Sequence, residues 1–211
     1  MGGPATSRLC GAWAIVSSET SPFPDGKPRC AWCNPRNPAY IAYHDTEWGR
    51  LARTDDGYLF EMLLLESFQA GLSWACILNK RTAFRAAYDN FDWRKIADYS
   101  AAKCAALAQD PALVRNRLKI AAAVSNARIF GEICREYGGF YAYIRTFTQG
   151  RTFVETNRTT SPLSDALSHD LRRRGMKFAG SVIVYSFLQA IGVIHSHEAG
   201  CWLAAAQNKE I

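Results

Sequence analysis

Cysteine and histidine side chains that could ligate a metal are concentrated in two distant segments of the sequence. The candidates are Cys30, Cys33, His44, His195, His197 and Cys201. Zinc prefers thiolate and imidazole ligands, and a structural zinc site takes four of them in tetrahedral geometry. Such a site would join the two segments, although there are more candidates than positions and Cys30 and Cys33 alone form a C-x2-C pair. The alternative is that the cysteines are buried and act as small hydrophobic residues.

A carboxylate occupies the last position of an apolar stripe. The stripe consists of Leu59, Met62, Leu63 and Glu66, spaced i, i+3, i+4 and i+7. This spacing predicts a helix, which Thr54 or Asp55 can cap, and it directs the Glu66 carboxylate toward the interior. A buried carboxylate must be paired or functional, and the alternative is that Glu66 lies at the edge of the stripe and meets an arginine.

Aromatic residues surround this carboxylate in the sequence. They are Trp32, Tyr40, Tyr43, Trp48 and Trp74. Gly71 is expected to end the helix and to turn Trp74 back toward it. Ring faces attract cations and a carboxylate accepts hydrogen bonds from an exocyclic amine, so this set would suit a flat cationic heteroaromatic ligand such as an alkylated purine. For Phe84, Trp93 and Phe178 we expect core packing instead.

Two basic runs are candidates for binding nucleic acid. Residues 111–131 contain no acidic residue, and their basic side chains are Arg115, Arg117, Lys119 and Arg128. The second run is Arg172, Arg173, Arg174 and Lys177. Residues 110–116 could form a tight turn before a helix, and helix-hairpin-helix elements bind phosphate with backbone amides at a helix N-terminus. The alternative for each run is a solvated helix face.

Composition limits the class of protein. The chain has 211 residues, a net charge of +6 and 48% hydrophobic residues, and no apolar run approaches the length of about 20 residues that a membrane helix needs. A globular protein with an anionic partner is therefore expected, and transmembrane and disordered classes are excluded. Seven cysteines, an odd number, fit reduced thiols in the cytosol better than a disulfide framework. Residues 1–28 are predicted to be a loosely structured extension.

Helical periodicity dominates the rest of the chain, and no alternating strand pattern of useful length occurs. Predicted helices cover residues 82–88, 93–98, 101–108, 114–137 and 178–194. A further helix is expected to be capped by Ser164, to run through Leu171 and to end at Gly175. Residues 29–48 are expected to be rich in loops, and residues 152–161 to form one long loop. The predicted fold is all-α, with two helical lobes that share a groove.

Short motifs are spread over residues 29–202, which is nearly all of the chain outside the extension. They are YIAYHD (40–45), EWG (47–49), QAGLSW (69–74), RNR (115–117) with KI (119–120), NAR (126–128), SDALS (164–168), RG (174–175) with KF (177–178), YSF (185–187) and GC (200–201). Together they resemble the 3-methyladenine DNA glycosylase I family of base-excision repair enzymes.

This resemblance implies a fold and a metal. The fold is an all-α DNA glycosylase domain of the helix-hairpin-helix superfamily over residues 29–206, with two helical lobes and one structural Zn²⁺ that joins the terminal regions. The implied zinc ligands are Cys30, His44, His197 and Cys201. Cys33 and His195 are then left without a role at the metal.

The resemblance also implies roles at the base-binding site. Glu66 is the implied catalytic residue, and Glu66 and Tyr43 would bind the flipped base by hydrogen bonds while Trp74 stacks on it. Further residues expected to line the same pocket are Trp32, Tyr40 and Trp48. The residues expected to contact DNA are Arg115, Arg117 and Lys119.

The implied reaction is hydrolysis of the N-glycosidic bond of 3-methyladenine in double-stranded DNA, which leaves an abasic site and free 3-methyladenine. Methylation at N3 makes the purine cationic and a good leaving group, so little acid catalysis is needed. Extruding the nucleotide costs a few kcal/mol. No lyase lysine is implied, so a monofunctional enzyme is expected. We further expect a monomer that acts in the cytoplasm with the nucleoid and has no membrane partner.

Overall fold

The computed structural model describes residues 21–51 and 53–204. Within these residues the chain is mostly helical, with nine α-helices, a short 3-10 helix (Asp89–Phe91) and two short strands, so the all-α prediction is confirmed. The elements are α1 (Pro38–Thr46), α2 (Asp56–Gln69), α3 (Trp74–Ala87), α4 (Trp93–Ala97), α5 (Ala101–Leu107), α6 (Arg117–Tyr137), α7 (Phe140–Thr148), β1 (Phe153–Val154), α8 (Pro162–Arg173), α9 (Ser181–Ala190) and β2 (Ile194–His195). No helix in the described ranges is long and apolar enough to cross a membrane.

The predicted extension, residues 1–28, is described only from residue 21 onward, and the predicted domain end at residue 206 also lies outside the described residues. Residues 21–28 contain no helix or strand. Phe23 is nevertheless buried, and the Arg29 guanidinium lies over its ring at 4.6 Å. The Pro28 carbonyl accepts a hydrogen bond from the Trp202 backbone at 2.9 Å. The segment before the domain therefore packs beside the segment that follows β2.

Residues 29–48, predicted to be rich in loops, are irregular at 29–37 and 47–48, but they also contain helix α1, which was not predicted. Asn37 caps this helix by accepting hydrogen bonds from two backbone N–H groups, and Pro38 takes the first helical position. Proline is compatible with that position because its missing N–H would have no partner within the helix. The helix places Tyr43 and His44 in the interior.

Five of the described helices begin at a serine or aspartate cap, and two of these caps bear directly on the predictions. Asp55, rather than Thr54, caps α2 by accepting a hydrogen bond from the Tyr58 backbone N–H. In α8 the cap is Ser161, whereas Ser164 was predicted. Both serines take part, because each side chain accepts a hydrogen bond from the backbone N–H of the other in a capping box.

Other predicted helices have different bounds in the structure. Helix α3 begins at Trp74, well before the predicted residue 82, because Ser73 caps it. Helix α6 begins at Arg117, where Asn116 accepts hydrogen bonds from two backbone N–H groups. Helix α7, which was not predicted, follows Gly139.

The two strands lie where a loop and the end of a helix were expected. Helix α9 is shorter than the predicted range 178–194, because Phe178 has a left-handed φ of 53° that a helix does not accept. Strand β1 pairs in parallel with β2, with Phe153 opposite Ile194. This pairing connects the loop before α8 to the segment that follows α9.

Helix α2 is the central helix of the fold. It contacts α3, α6, α7 and α9, and residues 58–68 are all buried. Two carboxylates, Glu61 and Glu66, are therefore interior. Glu61 pairs with Arg81 at 2.7 Å and with Arg85 at 2.9 Å, which is the usual environment of a buried acid. Glu66 makes no ion pair with any residue that the structure describes.

Candidate active site and metal site

Four buried cysteine and histidine residues converge between the segment before α1, helix α1 itself and the segment after β2. They are Cys30, His44, His197 and Cys201, and their ligand atoms all lie within 4.8 Å of one another. The His197 Nδ1 atom is 3.4 Å from Cys30 Sγ and 3.5 Å from Cys201 Sγ. Cys201 Sγ is also 3.5 Å from His44 Nε2. Of the six candidates in the sequence, Cys33 and His195 lie outside this group.

The geometry of the group fits a tetrahedral metal site. With metal–ligand bonds of about 2.0–2.3 Å, neighbouring ligand atoms of a tetrahedron lie roughly 3.3–3.8 Å apart. The other ring nitrogen of His44, Nδ1, lies 2.8 Å from Asp45 Oδ1, so a carboxylate orients this imidazole. Arg29 holds that carboxylate in turn, with Nη2 2.6 Å from Asp45 Oδ2. The four residues can therefore hold one metal ion with an ordered outer layer.

Burial keeps these side chains neutral until a cation binds them. It raises the pKa of the Cys30 thiol to about 12 and lowers the pKa of His197 to about 4. Neutral imidazole is the form that ligates a metal, whereas thiols must lose their protons. A cation in the group would therefore release protons from the two cysteines.

The two histidines of the metal-site cluster also pack against a wall of the pocket formed by Trp32 and Trp48. The Trp48 ring packs edge-on against the His197 imidazole with centroids 4.7 Å apart, and Trp32 lies 5.2 Å from the His44 ring. Trp32 and Trp48 contact each other at 4.8 Å. Displacement of either imidazole would therefore move this wall.

In front of the wall lies a pocket of about 330 Å³. Its lining includes every residue predicted for base binding, namely Trp32, Tyr40, Tyr43, Trp48, Glu66 and Trp74. Among the aromatic residues assigned to core packing, Phe84 is buried, whereas Trp93 and Phe178 are half-buried. None of these three lines the pocket.

Glu66 supplies the carboxylate of this pocket. Its exposed fraction is 3%, and Oε2 has no hydrogen-bond partner among the described residues. Desolvation alone raises the pKa of Glu66 to about 8. No arginine among the described residues pairs with this buried acid, unlike Glu61 in the same helix, so the fold leaves it available to a ligand.

Tyr43 and Trp74 face the same space from α1 and α3. Their ring centroids lie 5.3 Å apart with the planes tilted by 53°. The chain reverses between α2 and α3 at Gly71, whose φ of 81° favours glycine, as the sequence predicted. Burial and the nearby Glu66 raise the pKa of the Tyr43 hydroxyl well above its usual value, so Tyr43 is a hydrogen-bond donor.

Several polar residues of the pocket were not predicted. They are Gln69, Asn157, Arg158, Ser186, Gln189, Ser196 and Glu198. Two of them had a signal in the sequence, because Ser186 and Gln189 interrupt the most apolar helix at positions three apart, on one face of α9. Asn157 and Arg158 come from the loop after β1, where the polar composition indicated only a loop.

The basic residues predicted to contact DNA fall into two groups. Arg115 and Arg117 are exposed at the turn before α6. Lys119 is only 6% exposed, and its Nζ donates hydrogen bonds to the carbonyls of Phe68 at 2.7 Å and Ala70 at 2.5 Å. The DNA contact predicted for Lys119 is therefore corrected, because the first turn of α6 directs this ammonium group into the protein, where it caps the C-terminus of α2.

Two helix–turn–helix segments lie next to each other on α6. Residues 108–116 connect α5 to α6, and the Lys80 Nζ donates to the carbonyls of Pro111 and Ala112 in this turn. Residues 174–180 connect α8 to α9. Asn126 holds this second turn by donating to the Lys177 carbonyl at 2.8 Å and accepting from the Lys177 N–H at 2.9 Å.

Comparisons with known proteins identify similar chains. A family model described as methyladenine glycosylase matches residues 32–204. The chain is 42% identical over 180 residues to DNA-3-methyladenine glycosylase 1 of Escherichia coli (strain K12), covering 82% of this chain and 95% of that protein. It is 37% identical over 181 residues to DNA-3-methyladenine glycosylase of Haemophilus influenzae, covering 82% and 96%.

A solved structure is also similar. It is a structure of 3-methyladenine DNA glycosylase I from Staphylococcus aureus, described as showing the structural basis of 3-methyladenine recognition. Its fold matches that of this chain with a TM-score of 0.78 and 34% sequence identity, and the match covers 82% of this chain and 95% of that chain. The family model covers most of the sequence, including the metal-site cluster from His44 onward and the whole carboxylate pocket. The chain therefore belongs to the methyladenine glycosylase family.

Proposed function

We propose that this protein is a monofunctional DNA glycosylase that flips 3-methyladenine out of alkylated double-stranded DNA and hydrolyses its N-glycosidic bond, which initiates base-excision repair. The observation that carries the proposal is the buried Glu66 carboxyl without a protein partner in an aromatic pocket. The names of the relatives supply the substrate, since each is a 3-methyladenine glycosylase.

In the proposed complex the cationic base enters between the aromatic faces. Glu66 accepts a hydrogen bond from the exocyclic amine, Tyr43 donates one, and Trp74 stacks on the ring. Water then forms a bond to C1′ of the sugar while the electrons of the C1′–N9 bond return to the purine, and the bound water loses one proton to solvent to become the C1′ hydroxyl. Because the purine leaves as a neutral molecule, no proton has to be delivered to it, and Glu66 acts by binding and orienting the base.

We further propose that the metal is one structural Zn²⁺ ligated by Cys30, His44, His197 and Cys201. Two thiolates and two imidazoles are a donor set that zinc prefers, and four protein ligands leave no open position for chemistry. In this proposal the site stabilises the pocket through the contact between His197 and Trp48.

For the DNA we propose a surface formed by the two turns on α6, as in helix-hairpin-helix proteins, with the two lobes of helices on either side of the pocket. Arg115 and Arg117 at one turn, and Arg172 and Lys177 at the other, are exposed cations that suit phosphates. The proposed protein acts as a monomer on chromosomal DNA, in the cytoplasm with the nucleoid.

The correction at Lys119 leads to a prediction about salt dependence. Lys119→Met should lower the free energy of unfolding by about 2 kcal/mol, because two buried carbonyls lose their donor. The slope of log affinity for duplex DNA against log salt concentration should stay unchanged. Arg117→Ala should leave stability nearly unchanged and reduce that slope by about 1. Urea unfolding measures the free energy of unfolding, and DNA titrations at several salt concentrations measure the slope. A reduced slope for Lys119→Met would show that Lys119 does contact the DNA phosphates.

The proposed function is tested by incubating the purified protein with methylated duplex DNA and identifying released bases by chromatography. Release of 3-methyladenine is the expected result. Tyr88→Phe, which removes a buried hydroxyl far from the pocket lining, is the matched control and should release the base as the unaltered chain does. If the folded, metal-loaded protein binds this DNA but releases no base, it binds damaged DNA without cleaving the N-glycosidic bond, and the proposal is wrong.

A further inference from the structure

Three buried polar atoms belong to residues that line the pocket and have no hydrogen-bond partner among the described residues. They are Glu66 Oε2, Trp74 Nε1 and Ser196 Oγ. A buried polar atom that lacks a partner costs free energy, so such atoms in a pocket point to groups on a ligand. A carboxylate accepts hydrogen bonds, an indole N–H only donates, and a hydroxyl can do either.

Ser196 is held in place by the surrounding backbone. It follows β2 directly, and the residues before it are fixed by the hydrogen bonds from Phe153 N to Val193 O and from Glu155 N to His195 O, each 3.0 Å long. The next residue, His197, belongs to the metal-site cluster. Ser196 is 8% exposed, and on its protein side its hydroxyl interacts with the Tyr185 hydroxyl, while its remaining hydrogen-bonding capacity is available to the pocket that it lines. Its hydroxyl is therefore preorganised at the edge of the pocket.

We propose that Ser196 is a base-binding residue that helps to determine specificity, because its hydroxyl donates a hydrogen bond to a ring nitrogen of the bound purine while Glu66 accepts from the exocyclic amine. The inference rests on the proposed function and adds a residue that neither the sequence motifs nor the family resemblance indicated. With the Tyr43 hydroxyl and the Trp74 indole N–H, the pocket then presents one acceptor, Glu66, and three donors.

This set of donors and acceptors matches adenine better than guanine. Adenine presents an amino group at position 6 beside the acceptor N7, whereas guanine presents the acceptor O6 at that position. The cationic methylated base favours the ionised form of Glu66, and in the orientation that places the adenine amine on this carboxylate, guanine would bring its O6 against it, where two acceptors repel each other. The Ser196 hydroxyl fixes this orientation because it contacts a second point of the ring.

The experiment measures the affinity of the metal-loaded protein for free 3-methyladenine by the change in tryptophan fluorescence. Ser196→Ala should bind the base about five- to tenfold more weakly, as expected for the loss of one hydrogen bond between neutral groups. Ser67→Ala is the matched control: this serine is also buried, but its hydroxyl donates to the Leu63 carbonyl at 2.8 Å and it does not line the pocket. The control should bind the base as tightly as the unaltered chain.

Two analogues test the ring nitrogen itself, 1-deaza- and 7-deaza-3-methyladenine. The unaltered chain should lose affinity for the analogue that lacks the contacted nitrogen, and for that analogue Ser196→Ala should cause no further loss. Equal affinity of the unaltered chain and Ser196→Ala for 3-methyladenine would overturn the proposal. An equal loss on Ser196→Ala with both analogues would overturn it as well, because the serine would then act through packing.

Two further measurements make the outcome decisive. Metal content must be equal in all variants, since Ser196 neighbours His197. If Ser196→Ala does not fold, Ser196→Cys has nearly the same volume and only a weak donor, and it should show the same weakened binding. Failure of the proposed function is distinguishable, because the unaltered chain would then release no base from methylated DNA whether or not Ser196 contributes to binding free 3-methyladenine.

Discussion

Replacing Glu66 with glutamine is expected to stabilise the folded protein at pH 8 by up to about 5 kcal/mol while it lowers the rate of base release by about two orders of magnitude or more. The stabilising effect has a simple origin. The carboxyl is buried with no counterion in the part of the chain that the structure describes, and burial raises its pKa from 4.5 to about 8. Glutamine keeps the shape of the side chain but carries no charge that the interior must accommodate.

The size of this stabilisation depends on pH within a defined window. Below pH 4.5 the carboxyl is protonated in the folded and the unfolded chain, and the substitution should change stability little. Between pH 4.5 and about 8 the unfolded chain has lost the proton while the folded chain keeps it. Each pH unit in this window therefore favours unfolding of the unaltered chain by about 1.4 kcal/mol, and above the window the difference is constant.

Urea unfolding of both chains at pH 5, 7 and 8.5 measures the predicted divergence. The difference between the two midpoints should grow with pH, because the rest of the chain is identical and its other titrations cancel. Parallel pH dependences would show that Glu66 titrates normally and is not desolvated. Base release is measured on the same preparations, and retention of full activity by the glutamine variant would contradict the role of the carboxylate in binding the base.

Loss of the metal site is the second change with a large expected effect. A metal ion bound by Cys30, His44, His197 and Cys201 closes a loop that contains most of the chain, and closing a loop of this size stabilises the folded state by about 5 kcal/mol through chain entropy. We therefore expect Cys201→Ser to lose bound zinc and to unfold at a much lower urea concentration. Affinity for 3-methyladenine should fall too, because Trp48 rests on the His197 ring.

Cys33→Ala is the matched control for this prediction. Cys33 is also a buried cysteine close in sequence to Cys30, but it lies outside the cluster. This variant should retain one zinc per chain by elemental analysis and should remain sensitive to a chelator, as the unaltered chain is. Full zinc content in Cys201→Ser, or loss of zinc in Cys33→Ala, would show that the ligand set is wrong.

Helical spacing predicted correctly that Glu66 is interior, but every residue from 58 to 68 is buried, so spacing could not show that Glu66 lacks the arginine partners that Glu61 has. Spacing could not choose between Cys30 and Cys33, since both are buried and only the path of the chain brings one of them to the histidines. The family resemblance supplied that choice. The aromatic residues of the pocket were likewise predicted from the sequence, whereas most of the polar residues that line it were not.

Lys119 shows why a run of basic residues in the sequence is weak evidence for a DNA-binding surface. The interpretation of such a run assumes that its cations face solvent, but the first turn of α6 packs against the end of α2, whose last carbonyls need donors. Ser196 lies in no motif, because a serine signals a function only through its surroundings. Both residues depend on contacts between segments that are far apart in the chain.

The joining of two distant segments at the metal site also has a consequence for the order in which the protein is made. Trp32 and Trp48 belong to the part that a ribosome completes early, yet the imidazole on which Trp48 rests is His197. Synthesis must therefore pass residue 201 before all four side chains of the cluster can meet. A nascent chain still short of that residue has its carboxylate helix and its tryptophans but no finished pocket, so the pocket of this protein is completed only after Cys201 has been synthesised.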